Sequence, residues 1–262
     1  MNFLLKTITI VFFETAILIA SFTLWQNREF ISFSSANQVA TLQSAVLEEK
    51  KPPAEKPVVV WKEIDVEESI PDSFMLAAPF TVQAPHANWN DPWQEFCEEA
   101  VILMASSYAS GATDTVMERR AAAESMLGIM RWEQENLGYH KDTGSEDVAD
   151  TVGGVFGFKA RVIRDITKEN IKEEILRWRP VILPVSGKRL QNPYFSGGGP
   201  LYHMVLVIGY DNSDNTFVTH EPGTRYGREY RYDQDLLYDA IADWDHETEG
   251  LVKRKAGVVI DW

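Results

Sequence analysis

The one cysteine of the 262-residue chain, Cys97, is where nucleophilic chemistry would have to begin. A thiol attacks as its thiolate, and the partial positive charge of a helix N-terminus favours that anion. Cys97 stands in Glu-Phe-Cys-Glu-Glu-Ala-Val-Ile-Leu-Met, whose apolar positions have helical spacing. Ala100, Leu103, Met104 and Ser107 share a face, and Gly111 is a stop. A helix opening at Glu95 puts the thiol in its first turn, whereas a cap at Asp91 with Pro92 behind it sets the thiol a turn deeper. Glu98 and Glu99 suit a helix N-terminus but oppose a neighbouring thiolate, so a cationic partner has to compensate. The competing reading is a small buried hydrophobe with no chemistry.

His203 is the best-placed partner. It opens the apolar run His-Met-Val-Leu-Val-Ile-Gly, directly after the loop Ser-Gly-Gly-Gly-Pro-Leu-Tyr, at the kind of rim a substrate can reach. The glycine run has no lysine of the phosphate-loop type and reads as a hinge or rim. A thiol–imidazole pair needs a third group to orient the ring. Glu221, in Thr-His-Glu-Pro-Gly-Thr, is the natural candidate, because a hairpin turn near Ser213 sets residue 203 opposite about residues 221–223. His220 falls on the opposite face of that strand. For both His203 and Glu221 the alternative is a plain strand or turn residue.

Taken in order, Gln83, Cys97 at a helix start, His203 opening a strand and Glu221-Pro222 after a hairpin resemble the double-glycine-peptidase-like group of papain-fold cysteine peptidases. These are relatives of the leader-peptidase domains of bacteriocin exporters. The resemblance covers roughly residues 74–262 and implies a papain-like α+β fold, with the cysteine-bearing helix packed on an antiparallel sheet that carries the histidine. It also implies that Gln83, in Ala-Pro-Phe-Thr-Val-Gln-Ala-Pro, helps form the oxyanion hole. The group's third residue is usually an Asp before Pro, and Glu221-Pro222 matches it with one methylene more. Members commonly follow the cysteine with Gly-Pro, where this chain has Glu98-Glu99. That departure bears on the double-glycine leader as substrate more than on the chemistry.

The elements that must position these residues emerge from periodicity. Beyond the cysteine helix, helices are predicted over 113–135 and 168–177, and strands over 181–185, 203–210, 216–220 and 257–261. Asp211 to Asn215 reads as a hairpin turn, its spacing being wrong for a calcium loop. Trp89 and Trp93 are cleft-lining candidates whose default role is packing, as it is for the alternating Tyr226, Tyr230 and Tyr232.

Residues 1–25 form an apolar segment broken by Glu14, read as a membrane anchor or a signal segment, with the anchor favoured because large residues occupy the cleavage-site positions. Residues 26–73, with Glu-Glu-Lys-Lys-Pro-Pro-Ala-Glu-Lys-Pro, form a charged, proline-containing linker. An N-terminal anchor of this kind usually exports the domain on its C-terminal side, so residues 74–262 are expected as one extracytoplasmic peptidase domain. A net charge of −14, from 39 acidic and 25 basic residues, excludes the basic surface that nucleic acid requires. The histidines are scattered without ligand spacing, so neither a metal nor a cofactor is expected. The expected partner is a peptide or protein substrate, cleaved by a Cys97–His203–Glu221 triad. A cell-wall peptide amidase and an inactive peptide-binding module of the same fold are the rivals.

Overall fold

The computed structural model describes residues 71–113 and 115–262. Seven strands form one antiparallel sheet in the order β2-β9-β3-β4-β5-β6, with β1 paired to the far end of β4. The strands are β1 (Ser73–Met75), β2 (Lys159–Arg164), β3 (Val181–Val185), β4 (His203–Asp211), β5 (Thr216–His220), β6 (Tyr230–Asp233) and β9 (Ala256–Asp261). A separate ribbon joins β7 (Asp243–Asp245) to β8 (Gly250–Val252). The helices are α1 (Cys97–Ala109), α2 (Arg119–Asn136), α3 (Ser145–Phe156), α4 (Lys168–Leu176) and α5 (Gln234–Ala240).

The centre of the sheet is β3 and β4, buried on both faces, so their sequences are continuous apolar runs without alternation. Helix α1 packs on β4, β3 and β9 on one side and on α2 and α3 on the other. Its residues Ala100 to Ser106 are all buried, which corrects the single apolar face expected from spacing. A helix apolar all round belongs inside the molecule. Burying a Leu, Ile, Val or Met side chain contributes about 1.5–3 kcal/mol. The residues after the thiol therefore fix α1 rigidly beneath it.

One predicted helix changes at its edge. Helix α2 starts at Arg119, because Thr115 and Met117 bond to the backbone of Phe80 and hold residues 115–117 extended. Glu118 then caps the helix, its carboxylate accepting the N–H groups of Arg120 and Ala121. Strands β1 and β2, helices α3 and α5 and the β7–β8 ribbon had no predicted counterpart. The hairpin predicted around Ser213 forms, with Asp211 opposite Thr216 and Leu206 opposite His220. A bulge between Val207 and Gly209 shifts the ladder by one residue.

No helix among the described residues is long and apolar enough to cross a membrane. The anchor or signal segment over 1–25, and the linker over 26–73 up to residue 70, lie outside the described residues.

Candidate active site

Cys97 is the first residue of α1, delivered by a single 3-10 turn over Trp93–Glu95 with Phe96 between the two. The thiol thus sits at the helix N-terminus, where the first backbone N–H groups have no acceptor within the helix. Cys97 is buried, and its sulfur faces the backbone N–H of Met204 at the start of β4. Met204 directly follows His203, which lines the same cleft as the thiol.

His203 is 1% exposed and paired with Val185 of the neighbouring strand. Its Nε2 lies 2.6 Å from Glu221 Oε1, which leaves Nδ1 as the ring nitrogen available to a thiol. Glu221 is fully buried, and it directly follows β5. Its Oε1 also accepts the Gly223 N–H at 2.8 Å, and its Oε2 accepts the Tyr232 hydroxyl at 2.9 Å. Asn192 Nδ2 donates in turn to the Tyr232 oxygen at 2.7 Å. Burial, and then the charge of Glu221, raises the Tyr232 phenol far above its ordinary value, so it remains a donor.

The loop after Glu221 depends on glycine. Glu221 N–H donates to Gly227 O and Gly227 N–H to Thr224 O, folding residues 221–227 back on themselves. A Cβ at Gly227 would stand 1.7 Å from the Glu221 carbonyl oxygen. At Gly223 a Cβ would come within 3.0 Å of Glu221 Oε1, His203 Cε1 and Phe195 at once. His220, as its strand parity predicts, faces away: its Nε2 meets Ala78 O at 2.9 Å.

Gln83 is buried, and its side-chain amide donates to Trp93 O at 3.1 Å and Gln94 O at 2.9 Å. Its backbone N–H donates to Pro222 O at 3.0 Å, tying the turn before Cys97 to the loop after Glu221. Gln83 Oε1 is buried without a partner.

One cleft of about 750 Å³ is lined by Gln83, Cys97 and His203, three of the four residues that the sequence singled out. Glu221 stands behind His203. Trp89, Tyr194, Phe195 and Tyr226 form aromatic walls, and Ser196, Gly199 and Pro200 make the glycine loop a rim of the cleft. Glu95, Glu98 and Asp142 add acid to the cleft wall. A smaller depression of about 530 Å³, lined by Arg189, Leu236, Lys253 and Lys255 among others, contains neither thiol nor imidazole. Among the described residues no group of His, Cys, Asp and Glu is arranged to hold a metal ion.

Behind the thiol, Glu98, Glu99 and Glu133 are all buried. Cys97 Sγ donates to Glu98 Oε2 at 2.9 Å. Burial foremost, then the charge of Glu98 and this hydrogen bond, pushes the Cys97 thiol well up, while the Met204 N–H opposes the shift. Burial pushes the Glu98 carboxyl up to about 8, and that of Glu133 up to about 9 with the help of Glu98's charge. Glu99 is raised by burial and by Glu133. His140 Nδ1 lies 3.6 Å from Glu99 Oε1 without a hydrogen bond, and burial lowers the imidazole. With burial favouring the neutral form of both groups, the contact is not an ion pair.

Tyr232 and Asn192 are the residues sequence reasoning missed. The alternation of Tyr230 and Tyr232 identifies a strand but not which phenol turns toward a carboxylate. Nothing local marks Asn192.

The model of the Peptidase_C39-like family matches residues 75–248. A solved structure described as a C39-like peptidase from Bacillus anthracis is similar over 73% of this chain and 98% of its own, at 13% identity and a TM-score of 0.48. UfSP from C. elegans matches over 72% of this chain and 34% of its own, at 9% identity and a TM-score of 0.38. Xylellain, a cysteine protease from Xylella fastidiosa, matches over 74% and 87%, at 11% identity and a TM-score of 0.29. The search of curated proteins returned no match. These structural likenesses are distant, and family membership rests on the family match, which spans the thiol, the imidazole and the Glu221 loop. The chain belongs to the Peptidase_C39-like family, as a cysteine-peptidase-like hydrolase of α+β, papain-like fold.

Proposed function

We propose that the chain cleaves peptide or amide bonds with Cys97 as nucleophile, His203 as general base and acid, and Glu221 as the group that orients the imidazole. The observation that carries the reading is the 2.6 Å bond from His203 Nε2 to a fully buried Glu221, with Cys97 and His203 lining one cleft. A base bound through Nε2 takes the thiol proton on Nδ1. The thiolate attacks the carbonyl carbon, the oxyanion collapses as His203 protonates the leaving amine, and water resolves the thioester.

The Cys97 backbone N–H, at the head of α1, is one oxyanion donor, and the Gln83 amide is the second. Each such donor contributes about 3–4 kcal/mol in comparable sites. Gln83 would serve by sharing one N–H between the Trp93 and Gln94 carbonyls and turning the other to the cleft.

The substrate is a peptide or protein that fits between the aromatic walls, and the site of action is extracytoplasmic, on a domain carried by the 1–25 segment. A peptide-binding module is favoured by the burial and the Glu98 contact that hold Cys97 as a thiol. Purified chain is assayed on protein substrates and on cell-wall peptide fragments, beside Cys97→Ala. Turnover abolished in a folded Cys97→Ala variant supports the hydrolase, and unchanged turnover refutes it.

A further inference from the structure

Glu98 sits in the cleft with its carboxyl on the nucleophile, yet the proposed triad leaves it without a role. It is 1% exposed, and no described lysine or arginine pairs with it. The base His203 lines the same cleft, and the other ionisable groups that face it are acids, a thiol and a phenol. They are Cys97 and Glu99 on α1, Glu95 in the turn before it, Glu133 on α2, Asp142 before α3 and Tyr202 before β4. Hydrogen bonds from the Cys97 thiol and from its own backbone N–H support an ionised Glu98, but burial and the surrounding acids outweigh them and favour the neutral form. A neutral carboxyl carries an O–H, which changes what the 2.9 Å contact to Cys97 Sγ can be.

Resting on the proposed triad, we propose that Glu98 is a further catalytic residue that switches the nucleophile: as the neutral acid it donates a hydrogen bond to the Cys97 thiolate, and as the carboxylate it keeps the proton on sulfur. In the first state His203 Nδ1 has taken the thiol proton, and the Glu98 O–H and Met204 N–H both point at the sulfur anion. In the second Glu98 has released its proton to solvent, the S–H donates to the carboxylate, and His203 stays neutral. The same Cys97–Glu98 contact serves both states, with the proton on either side. With Glu98 pushed up to about 8, the exchange falls near neutral to mildly alkaline pH. The arrangement explains why an acid can follow the nucleophile directly without disabling it.

The test is the rate of Cys97 labelling by iodoacetamide from pH 5 to 10, in the full chain and in Glu98→Gln, with circular dichroism to establish folding. Wild type is expected to label readily near pH 6, to lose reactivity between about pH 7 and 9, and to regain it only when the thiol itself ionises. Glu98→Gln, which cannot ionise, is expected to lose the fall between about pH 7 and 9 and to exceed wild type roughly tenfold near pH 9, as a one-unit change in thiol pKa gives. Superimposable profiles, or labelling lost at every pH in the variant, overturn the switch. Should Glu98→Gln fail to fold, a wild-type rate that climbs steadily from pH 7 to 9 overturns it equally. His203→Ala separates the two claims. If that variant labels like wild type, the triad is wrong, whereas an indifferent Glu98→Gln condemns the switch alone.

Discussion

Glu221 accepts from three donors, and each sets a different part of the site. The His203 bond fixes the ring, the Gly223 N–H fixes the loop, and the Tyr232 hydroxyl fixes the carboxylate plane. Hydrogen bonds to a charged group contribute about 1.5–3 kcal/mol each, and a buried acceptor left unmade is costly. Tyr232→Phe is therefore expected to lower stability by about 1–3 kcal/mol in denaturant unfolding and to reduce turnover modestly. Glu221→Gln is expected to cost roughly 10²-fold in turnover, at the low end of what a positioned base contributes, and less than Cys97→Ala. A Tyr232→Phe loss in turnover as large as that of Glu221→Gln would mean that the phenol, not the carboxylate, sets the imidazole.

At the scale of elements, the site is a meeting of three chain segments: the N-terminus of α1, the first residue of β4 and the loop that follows β5. The β4–β5 hairpin brings residue 203 near residues 221–223, which was legible in the sequence because a turn between apolar runs fixes which residues lie opposite one another. The ladder itself ends at Leu206 and His220, and the 221–227 loop carries Glu221 onto the ring. The delivery of Cys97 was legible only in outline. The choice between a helix opening at Glu95 and one opening near Pro92 is settled by a 3-10 turn, with Gln83 bonding two of its carbonyls from fourteen residues upstream of Cys97. No local pattern encodes such a contact. Helix α3 was hidden for a related reason: its glycines and short apolar stretch make sense only against Trp132 of α2, which a Cβ on Gly154 would strike at 1.9 Å. The 221–227 loop carries a prediction at this scale. Gly227→Ala, whose Cβ would meet the Glu221 carbonyl, is expected to unseat Glu221. Loss of His203-dependent activity with the sheet intact by circular dichroism checks it, and a fully active variant contradicts this role of the loop.

The whole molecule pays for its site with buried acid. Glu98, Glu99 and Glu133 are held in their protonated forms by burial, so the folded chain binds more protons than the unfolded chain above the ordinary carboxylate range. Stability rises with pH only where the unfolded state binds more protons. These three carboxyls therefore contribute a fall as pH climbs from about 4.3, the unfolded value, towards about 9, the value for Glu133, against a smaller opposite contribution from the lowered His140. Melting temperature is thus expected to be higher at pH 5.5 than at pH 8.5. Glu133→Gln is expected to flatten that slope and raise the alkaline melting temperature, each kcal/mol amounting to ~2–4 °C for a domain of this size. A melting temperature that climbs from pH 5.5 to 8.5 would show these carboxyls to be ionised and compensated.

The central claim is that Cys97 and His203 work as a pair. The direct measurement is the iodoacetamide labelling rate of Cys97 at pH 6, where Glu98 is neutral, in the wild-type chain and in His203→Ala. A working pair predicts labelling well above that of a free thiol at this pH, falling by an order of magnitude or more without the imidazole. Slow labelling that is indifferent to His203 would contradict it, and would leave the cleft as a peptide-binding surface without a working nucleophile.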